Sequence, residues 1–511
     1  MPSPSQILRY LIGFFAALLF TSPALATGWH RAESTHYVIH AELPQEDLRI
    51  LMQEAEDFRR LLQILFPSEA KQGRKLQLYL DRNTRRIEWA LQMRSSGFSE
   101  DSPEFAGAFA YFRRLDGNQY GPYAIYFQQT QYYINGSFYR TLPPWVLAGV
   151  PATFAPSRRD ESGAFKVGVP NLRSPLINGI DGKAIRAALK TEYATRNNYA
   201  YSVFYRRSRE MARVLLFDEA YAGRMDQYLD KLTMGASLAE AADQLGDLNA
   251  LSASVKRLRA NGANAMRVVS LPIAPPVTIE VRAMTQDEVD LVALRFTRLV
   301  GSRPKTVNGR LRKLTQKHAN SADVWHEYAA SEYERVRKSL FGGEPNFRGF
   351  GFSNNQIIVP ATTYSDRLAW AAVNRALELD PDHAPARILK AEITIGRLLK
   401  ADLDEDLSEE FSALRRELDP LAAQPETYPL AAAVAYQSFL EEGIDPPRYA
   451  LDRLGRAFLA NRGVKEFRYA YASALARIGE REAAEVLLRA MLFDPAFREA
   501  AQAAIDQQRP Q

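Results

Sequence analysis

The sequence predicts an α+β domain followed by an all-α array of helical repeats. Three observations carry this. Apolar and polar residues alternate over 36–43 and 75–81, the period of a strand, and these stretches flank a helix-period run at 45–66. After Trp145 the patterning turns mostly helical. Beyond residue 304, small residues recur seven apart with a proline five positions later, which suits paired helices that cross closely and then stop. At 511 residues the chain is too long for one hydrophobic core, so several domains are expected.

The first element in chain order is a leader. Arg9 is followed by an apolar run at 10–20 and by Ala24-Leu25-Ala26, a small-x-small site. This is the pattern of a secretory signal over 1–26, cleaved after Ala26. The run is too short to span a bilayer, Ser22-Pro23 breaks its continuation, and no later stretch approaches eighteen consecutive apolar residues. The mature chain is therefore expected to be soluble, without a transmembrane segment, and periplasmic or secreted. Apolar residues at 46% and charged residues at 24% place most of it among globular proteins. Cysteine is absent, which excludes disulfides, thiol catalysis and thiolate zinc sites. The formal charge of +5, about +4 once Arg9 is removed, is small and mixed along the chain, and gives no case for nucleic acid.

Residues 27–262 form the α+β domain. The helix at 45–66 carries Leu48, Leu51, Met52, Ala55, Phe58, Leu62 and Leu65 on one face and ends at Pro67. Short aromatic strands are expected at 106–112 and 123–127, and amphipathic helices at 199–217 and 222–232. Ser237 and Glu240 have the spacing of a capping box. Residues 263–303 read as a connector, with a proline-rich strand pair and a short helix.

Residues 304–511 are helical. In AWAAVNRALELDP (369–381), Ala369 and Ala376 stand seven apart and Pro381 five beyond. Ala483, Ala490 and Pro495 repeat those intervals, Gly479 marks a turn within 475–488, and 384–396 and 322–329 read as first helices of such pairs. These spacings resemble tetratricopeptide repeats, which implies a concave surface for a protein or peptide partner. A glycine- and asparagine-rich insertion at 338–363 and an off-pattern stretch at 403–424 interrupt the series.

The segment QTQYYINGSFYRTLPPWVLAGVPATFA (129–155), with strands before it and helices after it, resembles the peptidase-MA-like domain of exported bacterial proteins that continue into tetratricopeptide repeats. The resemblance implies a zinc-peptidase fold of the gluzincin type. An active member would place two histidines one helical turn apart on one Zn²⁺, with a glutamate between them to polarise water. Here the window is 127–134: the first histidine falls at Gln128 or Gln129, the glutamate at Gln129 or Thr130, the second histidine at Tyr132 or Tyr133. The third ligand, a glutamate before glycine, falls at Ala148. None of these is a normal zinc ligand or a base, and 117–159 holds no Asp, Glu or His at all. The resemblance thus implies an inactive peptidase homologue, a pseudoenzyme with no metal, no cofactor and no catalytic residue.

Other candidates are weaker. His36 and His40 share a strand face but stand roughly 13 Å apart, too far for one ion. His326-Glu327 mimics the start of a peptidase motif, yet its fifth residue is Ala330. His30, His318 and His383 have no partner pattern, and there is no Gly-x-Ser-x-Gly or Walker loop. Aromatics remain: ten Tyr and Phe fall within 111–139. They read as core filling, or as a cleft in which Tyr123, Tyr126, Gln129, Tyr132, Tyr133 and Trp145 hold a peptide or glycan. The expected function is a non-catalytic binding or scaffolding protein of the cell envelope. The alternative is a hydrolase of peptides or peptidoglycan, with Asp160, Glu161 and Asp181 its nearest carboxylates.

Overall fold

The computed structural model describes residues 28–67, 73–81, 85, 97–111, 123–137, 140–169, 180–191, 198–260, 266–273, 275–299, 301, 303–340, 366–399, 406–494 and 497–508. The leader, residues 341–363 of the insertion and Pro495 lie outside the described residues, as do Phe112, Tyr120, Phe138 and Tyr139 of the aromatic run.

A small mixed sheet near the N-terminus is followed by an all-helical C-terminal region. The sheet contains β1 (His30–Glu33), β2 (Tyr37–Ala41), β3 (Leu76–Asp81), β4 (Gly97–Asp101), β5 (Ala106–Tyr111) and, much later in the chain, β9 (Glu280–Ala283). Their order is β4-β5-β3-β2-β1-β9. Strands β2, β3 and β5 run parallel, and the outer pairings are antiparallel. The helix α1 (Gln45–Leu65) makes the crossover that joins parallel β2 to β3. Glu56 of α1 ties the β1–β2 turn in place, accepting hydrogen bonds from Ser34 Oγ at 2.6 Å and the His36 amide at 3.0 Å.

Strand alternation decides the layers. Ile39, Leu78 and Ala108 point to one face, where Leu48, Leu51, Met52 and Ala55 of α1 cover them. Tyr79 and Phe109 point to the other face and meet Val292, Phe296 and Leu299. Those three belong to α9 (Gln286–Leu299), so the sheet is sandwiched between α1 and α9.

A helical lobe follows β5. It comprises α2 (Tyr123–Ser137), α3 (Pro144–Phe154), α4 (Gly182–Leu189), α5 (Asn198–Phe217), α6 (Arg224–Thr233), α7 (Leu238–Ala242) and α8 (Leu248–Ala260). A small sheet of β6 (Arg158–Arg159), β7 (Phe165–Val167) and β8 (Arg267–Val269) edges it. The capping box at Ser237 and Glu240 opens α7, with both reciprocal bonds formed.

Two expectations need correction here. The stretch 123–127 is the first part of α2 and not a strand. Its buried residues Ile125, Tyr126, Gln128, Gln129, Tyr133 and Ile134 follow helical spacing, so tertiary burial overrides the strand preference of aromatics. The strands of 263–303 do not pair with each other: β8 joins β7, and β9 joins β1. Pro272, Pro275 and Pro276 between them lack the N–H groups a hairpin ladder needs. The third element of that region, α9, is part of the sheet's cover.

The remaining helices pack each on the next in chain order: α10 (Pro304–Lys317), α11 (Ala322–Leu340), α12 (Arg367–Leu379), α13 (Ala384–Leu398), α14 (Ser408–Ala422), α15 (Pro429–Glu441), α16 (Arg448–Ala460), α17 (Lys465–Arg477), α18 (Arg481–Arg489) and α19 (Arg498–Gln508). Ala369 and Ala376 of α12 are buried against its neighbours, and Gly479 makes the α17–α18 turn with φ of +86°. The second spacing match fails in part. Ala483 is exposed, and Ala484 and Leu488 make the contact instead. Among the described residues no helix is long and apolar enough to cross a membrane.

Candidate functional site

The residues of the peptidase-like frame lie on α2 and α3, pressed between α1 and α5. Tyr126 is fully buried, stacked on Phe58 with centroids 3.8 Å apart, and its hydroxyl donates to Glu54 at 2.7 Å. Burial and the Glu54 carboxylate hold that phenol well above its usual range. Tyr132 and Tyr133 donate to the carbonyls of Arg74 at 2.8 Å and Phe66 at 2.9 Å. Trp145 is fully buried, and its indole N–H donates to the Tyr228 hydroxyl at 3.1 Å. Gln129 is 1% exposed, and its side-chain amide reaches Ala55 O at 3.5 Å. Tyr123 is half-buried, its hydroxyl 3.4 Å from that of Tyr205.

Thus Tyr126, Tyr133 and Trp145 are core residues whose polar tips bond inside the molecule, and Gln129 is a core residue whose Nε2 bonds Ala55 while its Oε1 meets no partner among the described residues. Their side chains are buried against α1, its C-terminal end and α6. Of the proposed set, only Tyr123 and Tyr132 are even half-exposed.

Ala148 and Gly149 have a packing role. Helix α5 crosses α3 so closely at Gly149 that an added Cβ would overlap the carbonyl of Ser208 and lie 3.2 Å from Ala212 Cβ. The glycine of the frame is thereby explained by helix contact alone. Of the carboxylates of the hydrolase alternative, Asp160 and Asp181 are engaged locally and Glu161 is exposed. Asp160 accepts from Ser162 Oγ at 2.6 Å, which with the neighbouring amides holds its carboxyl below the usual range. Asp181 caps α4 through the Ala184 amide at 2.7 Å.

The histidines are dispersed. His30 bonds Leu43 O, His36 bonds Glu56, and His318 bonds Asp290. His40 stacks on Tyr79 with centroids 4.1 Å apart, and burial pushes its imidazole down to about 3, so it is neutral. His326 and His383 approach each other, with ring centroids 5.3 Å apart. His383 is an N-cap: Nδ1 accepts the Ala386 amide at 3.2 Å, and Nε2 faces Asp323 at 3.4 Å. Among the described residues no three of His, Cys, Asp or Glu gather where a metal ion would be held.

The helical array supplies a different kind of site. Helices α14, α15 and α16 enclose a groove of about 290 Å³. Ala422, Ala432, Ala435 and Ala450 keep its floor shallow and apolar. At its edges Arg415 lies 4.2 Å over the Phe439 ring, and Arg453 lies 5.1 Å over Tyr449, which is 52% exposed. Arg453 also donates to Asp419 at 2.6 Å. Rigid aromatic rings and preorganised guanidinium groups around an apolar floor are the ingredients of a protein-binding hot spot. Sequence reasoning missed this site. Its signal was the interleaving of Arg and aromatic residues with alanine across 412–453, whose first part falls in the off-pattern stretch 403–424.

The chain thus combines a small mixed sheet near its N-terminus with an all-helical C-terminal region. Comparison of the chain with protein-family models, with curated proteins and with solved structures yields no match.

Proposed function

We propose that the chain is a non-catalytic binding or scaffolding protein of the bacterial cell envelope, exported by its leader and working through its helical array. The observation that carries this is the groove of α14–α16, where Phe439, Tyr449, Arg415 and Arg453 surround an alanine floor. A segment of a partner protein suits it, because an extended chain can lay apolar side chains on the alanines and polar groups against the arginines. The peptidase-like frame is read as a scaffold. Its key positions, Gln129, Tyr133 and Ala148, are buried and devoted to packing. The array is read as tetratricopeptide-like from Ala369, Ala376 and the Gly479 turn.

Selection of peptides from a displayed library on the purified protein tests the groove. Binders are expected, and Tyr449→Ala with Arg453→Ala should weaken them by about tenfold or more. Absence of binders, or binders indifferent to both changes, would overturn the groove reading. Titration calorimetry with Zn²⁺ tests the scaffold reading, and a tight one-to-one site would overturn it.

A further inference from the structure

Two histidines meet where α13 begins, apart from the groove just described. His326 lies on α11 and His383 in the turn that enters α13, with ring centroids 5.3 Å apart. Their side chains are 12% and 10% exposed, so a charge on either ring would be largely cut off from water.

The bonds fix where the protons sit. His383 Nδ1 accepts the Ala386 amide at 3.2 Å, so that nitrogen carries no hydrogen, and Nε2–H faces Asp323 Oδ1 at 3.4 Å. The imidazole therefore caps α13 only while it is neutral. A proton on Nδ1 would turn the acceptor into a donor that faces another donor. It would also set a cation at a helix N-terminus, the end that disfavours positive charge. His326 Nδ1 is buried with no hydrogen-bond partner among the described residues. Burial pushes this imidazole down to about 4, with His383, Arg298 and Arg295 acting the same way and Glu327 against them.

The charges around the pair are engaged with one another. Arg295 and Arg298 of α9 both bond Glu327 of α11. Asp323 draws a proton toward His383, yet it shares its charge with Arg295. Asp380 and Asp382, in the α12–α13 turn, are exposed. On α12 Arg375 pairs with Glu378, and on α13 Arg387 donates to the Glu417 carbonyl. From α10, Lys317 and His318 both bond Asp290.

We propose that this joint is an acid-operated latch: when His383 or His326 takes up a proton, the first turn of α13 lets go of α11. Once α13 is released, His326 regains its ordinary value of 6.5 and binds a proton more readily than in the closed state. Closure is therefore fully favoured above about pH 6.5 and weakens as pH falls toward 4. Helix α13 shares one apolar cluster with Phe411 and Leu414 of α14 and Phe439 of α15, so its release reaches the helices behind it.

Hydrogen-exchange mass spectrometry on the full purified chain tests this, with rates corrected for the intrinsic effect of pH. Between pH 7.5 and 5.0, protection at 386–390 should fall about tenfold or more, and at 468–474 of α17 by no more than about twofold. His383→Asn keeps a cap that cannot titrate, and His326→Gln removes the buried imidazole. Each should cut the fall at 386–390 to about threefold or less. Thermal melting at pH 7.5 establishes that each variant folds, and the two report independently. His40, which burial pushes down to about 3, lowers global stability in acid, and the α17 segment records that share in wild type and variants alike. A cut in one variant alone supports the latch and names the histidine that works it. Equal falls at 386–390 and in α17, or a fall that both variants leave at its wild-type size, overturn the proposal.

Discussion

Gly149 and Glu327 each hold a position set by close neighbours. At Gly149, α3 and α5 approach within the radius of a methyl group. Gly149→Ala should therefore destabilise by roughly 1–3 kcal/mol, despite alanine's better helix propensity, and urea unfolding would register it. Glu327 is 2% exposed and is gripped by Arg295 Nε at 2.5 Å and Arg298 Nε at 2.9 Å. Burial pushes its carboxyl up, but Arg298 and Arg295 more than offset this and hold it at about 2, below its ordinary 4.5. The unfolded chain thus takes up this proton at higher pH than the folded one. The stabilisation is complete above about pH 4.5 and is lost as pH falls through about 2. Glu327→Gln should flatten that acid limb in melting curves, and at pH 7 it should cost about 3–5 kcal/mol, since the buried Arg298 and the partly buried Arg295 lose the carboxylate they share. The sequence shows His326-Glu327 only as a fragment of a peptidase motif, because the arginines that give Glu327 its role lie about thirty positions upstream.

At the scale of elements, periodic segments were readable and burial was not. The helix at 45–66 and the strands at 36–43 and 75–81 match α1, β2 and β3 to within two residues. The start of α2 was misread because Tyr and Phe favour strands in isolation, and only contact with α1 selects the helix. The aromatic set at 123–145 was legible as a cluster. Core filling was one of its two readings, but its partners were not legible, since Glu54, Phe66 and Tyr228 come from α1, its C-terminal end and α6. A prediction belongs here too. His383 caps α13 with Nδ1, so His383→Ala should lower stability by about 0.5–2 kcal/mol while His383→Asn retains most of it, as thermal melting would record. No sequence rule nominates histidine for that position, and Asp or Ser would have been the expected cap.

The sheet region and the array are joined at places far apart in the chain. Near the start of the array, Arg298 of α9 bonds Glu104 at 2.9 Å, beside the sheet, as well as Glu327 and Glu334 of α11. Near its end, Arg74 beside β3 bonds Asn461 at 2.8 Å, in the turn between α16 and α17. Gly73 allows that approach, since a side chain there would overlap the Ala460 carbonyl. Arg74 is also anchored on Ser102 O at 2.8 Å and Pro103 O at 3.1 Å. Arg74→Ala should leave the chain folded but free the second attachment. Backbone amides at 461–464 should then exchange about tenfold faster or more in hydrogen-exchange mass spectrometry. None of this was visible in the sequence, where residues 74 and 461 share no pattern.

Arg74 and Asn461 meet across 387 positions of chain, and α14, α15 and α16 all lie within the loop that this contact closes. Any motion that slides the end of α16 past β3 must therefore break the Arg74 bonds, so the sheet restrains helices that it meets only through a distant stretch of sequence.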